Sequence, residues 1–274
     1  MATLDFNRAP YLDKLRVYMD DSAHHIHASL ETVAALRQQR AASPALTAAS
    51  LAIKRFQARR FQATYADLLH SPRYKGATAF FLQELYGDKD YSERDQQFGR
   101  IADTIERIFP QPVVKTASAL ADVHALTEHL DDLMAREWLQ KQGLETAHLT
   151  PAAIVSPASC AQYIRCWRRV GDAGARAQQL EVVIQLGQQL DSLTRKIGLR
   201  TLLKMMRLPA SAAGLSALQT FLESGFDAFA GMRGADEFLK LIRLRETEWI
   251  RALFDDEAVT CETKLHHLLT AGQT

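Results

Sequence analysis

Helical periodicity dominates this chain. Apolar residues return at intervals of three and four over long stretches, Ala and Leu are frequent, and runs of β-branched residues are almost absent. No Asn-Gly or Asp-Gly pair marks a tight hairpin. Val182-Val183-Ile184 is the best strand candidate, but the Gln, Leu and Glu around it continue a helical pattern. Prolines act as punctuation. Pro44, Pro72, Pro110, Pro112, Pro151, Pro157 and Pro209 stand near helix starts, where a missing N–H costs little.

The pattern predicts a helix over 11–39, broken near Asp20-Asp21-Ser22, and a second over 47–69. A third opens at Ser71-Pro72 and closes at Gly87. Ser92, with Asp95 three residues on, reads as an N-cap followed by an acid in the first turn of a helix that runs to Phe109. A long helix comes next over 112–142, closed by Gly143, and then a loop over 144–157. Further helices are predicted over 158–170, 174–197, 199–207, 211–230 and 235–254, with a tail helix over 258–271. The expected fold is all-α: one domain over 1–274, an irregular bundle of about eight to eleven helices. If it divides into two lobes, 144–157 is the place.

One block stands out. Phe80-Phe81-Leu82-Gln83-Glu84-Leu85-Tyr86-Gly87 gathers two Phe, two Leu and a Tyr around one carboxylate and stops at glycine. Thr64-Tyr65-Ala66-Asp67-Leu68-Leu69 and Pro72-Arg73-Tyr74 lead into it, and Asp90-Tyr91-Ser92-Glu93-Arg94-Asp95 comes after it. These residues resemble the signature of the FFLEELY-motif proteins, a bacterial family. Weaker similarity continues through Leu130–Ala135 and Phe221–Phe226. The resemblance implies an all-helical protein of this length and supplies no catalytic residues. Gln83 replaces the Glu of the motif, so position 83 is expected to face solvent while Glu84 keeps its acid. Phe80, Phe81, Leu82 and Leu85 are expected in the core.

Composition adds bounds. Of 274 residues, 47% are hydrophobic and 24% charged, the balance of an ordinary globular protein. A net charge of +1 gives no reason to expect nucleic acid. Three cysteines, Cys160, Cys166 and Cys261, fit buried thiols in a reducing compartment. The N-terminus lacks the apolar stretch of a signal peptide, and no segment reaches the ~18 uncharged apolar residues of a membrane span. A cytoplasmic protein is expected. No P-loop, GxGxxG, GxSxG, HExxH or zinc-finger spacing occurs.

Several polar groups are candidates for chemistry. Glu84 sits among apolar neighbours and needs a cation, which Arg73 or Arg94 would supply. With Arg94, Asp95, His129 and Asp132 it forms a candidate polar site. Tyr65, Tyr74 and Tyr86 are candidate pocket aromatics, with Tyr91 nearby. On the long helix, His124, Glu128 and Asp132 share one face at spacings of four. The Glu-x-x-His pairs of a di-iron bundle are not present; Glu145-Thr146-Ala147-His148 is the one instance and falls in the expected loop. No metal or cofactor is therefore assigned. His24, His25 and His27 form a cluster with Asp20 and Asp21 upstream. Cys160–Leu208 carries nine basic residues and three acids, a net +6 that leaves the rest of the chain at −5. Within it Lys196, Arg200, Lys204 and Arg207 form a basic stripe suited to an anionic or protein partner, or balanced by acids from other helices.

These features support two functional expectations. The first is a non-catalytic binding or scaffold protein acting through a groove or the basic helix face. The alternative is a helical enzyme, or a cofactor or metal binder, in which Glu84, Asp95, His129 and Asp132 converge. A homo-oligomer is compatible with the sequence, which does not demand one.

Overall fold

The computed structural model describes residues 25–85, 87, 89–108, 111–142 and 155–271. Within them the secondary structure is helical throughout, and nine helices are fourteen residues or longer. In chain order they are α1 (His25–Ala41), α2 (Pro44–Thr64), α3 (Ala66–His70) and α4 (Lys75–Phe80), then a π-helical turn (Phe81–Leu85). Next come α5 (Ser92–Ile108), α6 (Gln111–Gln142), α7 (Pro157–Val170), α8 (Ala173–Thr194), α9 (Leu199–Met205) and α10 (Arg207–Ala212). The series closes with α11 (Ser216–Met232), α12 (Asp236–Asp255) and α13 (Ala258–Ala271). No described helix is long and apolar enough to cross a membrane.

Local chemistry accounts for many of the boundaries. Ser43 caps α2 by accepting from the Leu46 N–H, with Pro44 in the first turn where no N–H is needed. Ser156 and Pro157 repeat the device at α7. Asp172, at φ 62°, caps α8 by accepting from the Ala175 N–H at 2.8 Å. Val182-Val183-Ile184 lies inside α8, as its helical context implies. Pro110, Pro151 and most of the 144–157 loop lie outside the described residues.

Helix α6, 32 residues and about 48 Å long, is the spine. It packs against α1, α2, α7 and α8; α8 also meets α12, α11 meets α4, α5 and α8, and α13 packs on α7 and α2. One apolar cluster joins α2, α6, α7, α12 and α13, with Phe56 stacked on Tyr163 at 4.3 Å and Trp138, Trp167 and Trp249 buried beside them. It mixes residues from both sides of 143–154. A second gathers Phe61, Tyr65, Phe81, Leu82, Phe229 and Phe238, and a third gathers Ile26, Leu30, Phe98, Leu218 and Phe221.

The signature block links the last two clusters. Phe81 and Leu82 are buried, and Gln83 faces solvent as expected. Phe80 is half-buried, its ring 5.5 Å from Phe221 and pressed against Gly225 of α11. The Leu85 side chain and Tyr86 lie outside the described residues. The block does not continue α4 as a plain α-helix. It opens into a π turn, which shifts the helical register by one residue and re-aims the side chains beyond it. Gly87 is needed where it stands. A Cβ there would sit 2.6 Å from both the Gln83 carbonyl oxygen and the Tyr91 hydroxyl, which donates to that carbonyl.

Candidate functional site

A buried run of charge lies between α1, α2 and α6. Asp95, near the start of α5, accepts from Arg37 Nη2 at 2.7 Å, from Arg94 at 2.9 and 3.1 Å, and faces His124 Nε2 at 2.8 Å. One turn along α6, Glu128 accepts from Arg40 Nη2 and from Lys54 Nζ, each at 2.5 Å. Asp131 accepts from Gln57 at 3.0 Å. Asp132 accepts from Arg136, which also reaches Gln39 of α1. The stripe His124–Glu128–Asp132 is thus met by residues of α1 and α2. A second buried knot lies one turn further along α2. Arg60 donates to both oxygens of Glu246, which also accepts from the Tyr65 hydroxyl at 2.7 Å.

The electrostatics reflect this pairing. Burial would raise the Asp95 carboxyl, but His124, Arg94 and Arg37 outweigh it and hold the group well below the usual carboxylate range. Glu128 is likewise pulled against its burial by Lys54 and Arg40, to about 2. Asp131 is buried more completely and burial wins, so its carboxyl is raised. His129 is lowered by burial, against the pull of Asp132 and Asp172.

Above Asp95 opens a cleft of about 470 Å³. One wall is Glu84, Lys89, Asp90, Tyr91, Glu93 and Arg94; the other is the first turns of α11, with Ser216, Ala217, Thr220, Phe221 and Ser224. Arg94 is the joint between cleft and hub. Its guanidinium lies 4.4 Å from the Tyr91 ring and 4.8 Å from Phe221, and it donates to Asp95 below and to the Glu84 carbonyl beside it. The Glu84 carboxylate pairs with Lys89 at 3.2 Å. Arg73 is engaged elsewhere, donating to the carbonyls of Met232 and Gly234. Ser92 begins α5, and its N–H and hydroxyl are taken by Asp90; Asp95 is drawn into the hub instead of the first-turn N–H groups.

The structure therefore brings Glu84, Arg94 and Asp95 together, with His124 as the imidazole. His129 and Asp132 lie farther along α6, His129 facing Asp132 and Asp172. Tyr91 lines the cleft. Tyr65 is buried on Glu246, and Tyr74 packs at 5.9 Å on Phe238. His27 pairs with Asp103 at 2.9 Å on the surface; His24, Asp20, Asp21, Tyr86 and the Glu145–His148 segment lie outside the described residues. Arg37, Arg40, Lys54, Arg60 and Glu246 were not singled out from sequence. The three-residue spacing of Arg37 and Arg40 on α1, set beside the acidic face of α6, is the signal that points to them.

The basic stripe is bent rather than continuous. Gly198, at φ 85°, separates Lys196 from α9, and a further turn separates Arg207 from it. Arg200 pairs with Asp227 at 2.9 Å, Arg207 binds Glu223 through two nitrogens, and Arg195 pairs with Asp191. Two of these cations are thus met by acids of α11 and one by the preceding turn of its own helix.

All-helical architecture with a charged spine under a polar cleft defines the class. The chain belongs to a family described as a domain of unknown function (DUF8198), whose model matches residues 36–260. No curated protein and no solved structure matches it. Among the described residues no group of three or more His, Cys, Asp or Glu is placed to hold a metal ion.

Proposed function

We propose that this is a non-catalytic binding protein whose ligand seat is the cleft between residues 84–94 and the start of α11. The observation that carries it is the cleft itself. About 470 Å³ is the size of a small-molecule site. Its walls present both signs of charge, three hydroxyl residues and two rings, on a wall fixed from beneath by Asp95. That chemistry suits a small polar molecule bearing both charges, of amino-acid or dipeptide size. Binding is favoured over catalysis because the hub is already matched: Asp95 takes four contacts, and both Glu128 oxygens hold cations. A metal or a proton-transfer role there would first have to displace them. Stoichiometric metal in the purified protein would overturn this preference and restore the cofactor alternative.

The FFLEELY resemblance belongs to the same proposal, with the block acting as the packing element that seats one wall of the cleft. So does a cytoplasmic location in a bacterium, supported by three buried free cysteines. The test is thermal shift against the free amino acids and a set of dipeptides, repeated with Thr220→Trp, which fills the cleft from its exposed edge. The expected result is a shift with one chemical group of ligands that Thr220→Trp abolishes. No shift, or a shift untouched by Thr220→Trp, would refute the reading.

A further inference from the structure

The cleft above Asp95 carries charges of both signs, but they are not equally available to a ligand. Arg94 donates to the Asp95 carboxylate and to the Glu84 carbonyl, and Lys89 pairs with the Glu84 carboxylate at 3.2 Å. Both cations of the lining are therefore matched by the protein itself. Asp90 and Glu93 are exposed and form no ion pair among the described residues. Asp90 accepts from the Ser92 N–H and hydroxyl, and Glu93 accepts from Gln97 at 2.9 Å, all neutral donors. The charge left over in the cleft is negative.

Hydrogen-bonding capacity points the same way. The α11 wall brings Ser216, Thr220 and Ser224 to one face at intervals of four and adds no charged side chain. Thr220 Oγ1 donates to the Ser216 carbonyl and Ser224 Oγ to the Phe221 carbonyl, each at 2.9 Å. A hydroxyl has one hydrogen, so these two offer the cleft their lone pairs. Across from them the Tyr91 hydroxyl donates to the Gln83 carbonyl. The cleft is thus rich in acceptors and short of donors. An ammonium supplies three N–H groups and a guanidinium five, and neither accepts. A concave wall with uncompensated charge of one sign also concentrates the opposite sign. A metal cation is not the match, since among the described residues no group of three or more His, Cys, Asp or Glu is placed to hold one.

Taking the cleft as the ligand seat, as proposed above, we infer that it selects organic cations, with Asp90 and Glu93 receiving the ammonium or guanidinium of a basic amino acid or of a peptide that carries one.

Isothermal titration calorimetry of the full chain with arginine, lysine, glutamine, glutamate and glycyl-arginine tests it. Arginine or lysine should bind at least ~10-fold more tightly than glutamine or glutamate, as two exposed ion pairs together would give. The preference should fade as salt rises from about 0.05 to 0.5 M. Asp90→Asn with Glu93→Gln keeps acceptors for Ser92 and Gln97, so the fold should hold while the preference disappears. Lys89→Gln releases the Glu84 carboxylate and should tighten arginine binding by about two- to fivefold, an increase that a purely structural Lys89 would not give. Either source of the cation supports the inference: glycyl-arginine binding well above free arginine identifies a peptide, and the reverse a free amino acid. Glutamine or glutamate binding as tightly as arginine, and lost in Thr220→Trp, overturns the inference and leaves the cleft as a ligand seat. So does a double variant that binds arginine as the wild type does. If no ligand binds in a way that Thr220→Trp abolishes, the ligand seat and the inference fall together.

Discussion

Replacing Glu128 by Gln tests the claim that the hub is a matched ionic structure. The carboxylate is 3% exposed and holds Arg40 and Lys54, themselves 9% and 17% exposed at the side chain. Without its charge, two cations remain below the surface with no counter-charge on Glu128. Breaking a buried pair in this way costs about 3–5 kcal/mol. Linkage gives a similar figure by another route. A carboxyl that ionises near 2 when folded, against an ordinary value of 4.5, contributes about 3 kcal/mol at neutral pH. Because the folded value is depressed, that stability is fully present above about 4.5 and is lost as pH falls toward 2. Glu128→Gln should therefore lower the urea-unfolding free energy at pH 7 by about 3–5 kcal/mol, or the thermal midpoint by roughly 10 °C. It should also flatten the acid limb of the stability profile. A triple change to Arg40→Met, Lys54→Met and Glu128→Leu should recover most of the loss, since no charge is left to desolvate. A loss under about 1 kcal/mol, small even for an ordinary point change, would refute the argument. So would a triple variant as unstable as the single, which would make the cost one of packing.

The signature block should split by burial: Phe81→Ala is expected to lose about 3–5 kcal/mol, and Gln83→Ala to change stability by less than about 0.5 kcal/mol, both read by urea unfolding. Gly225→Val should destabilise by about 1–3 kcal/mol, because a Cβ at 225 stands 2.8 Å from Phe80 Cζ. Pairing it with Phe80→Ala in a double-mutant cycle should show a coupling of at least about 0.5 kcal/mol. The three cysteines are buried, with the Cys160 thiol pushed up to about 12 by burial. Ellman's reagent should thus find no fast-reacting thiol in the folded protein and all three after unfolding, and one rapid thiol in the native state would contradict the core described here.

Much of the fold was legible because it rests on short-range rules. The 3.6-residue recurrence of apolar positions, and caps such as Ser156-Pro157, specify helices without reference to anything distant, and α6, α7, α12 and α13 fall close to the ranges read from the chain. The departures occur where a distant partner intervened. Asp95 has the spacing of an N-cap companion, yet three cationic or imidazole groups from α1, α5 and α6 take its oxygens. The stretch 81–85 has the composition of an α-helix, yet it forms a π turn, with Tyr91 bonded back to the Gln83 carbonyl and Gly87 admitting the contact.

By itself the sequence determined the helical class, most helix boundaries, the burial of Phe81 and Leu82, and the acidic face of α6. Periodicity and local hydrogen bonding act within a few residues, so the chain encodes them in place. Only the tertiary structure decided the partners: that Arg37, Arg40 and Lys54 face that stripe, that His124 and not His129 meets Asp95, and that α11 forms the far wall of the cleft. It also decided which side of α9 faces inward. A periodicity shows that a helix has an apolar and a basic side. Leu199 and Leu203 are the half-buried residues of α9 while Arg200 and Lys204 stay exposed; Arg200 of α9 and Arg207 of α10 are met by Asp227 and Glu223 of α11, and a contact between residues so far apart in the chain leaves no trace in local spacing.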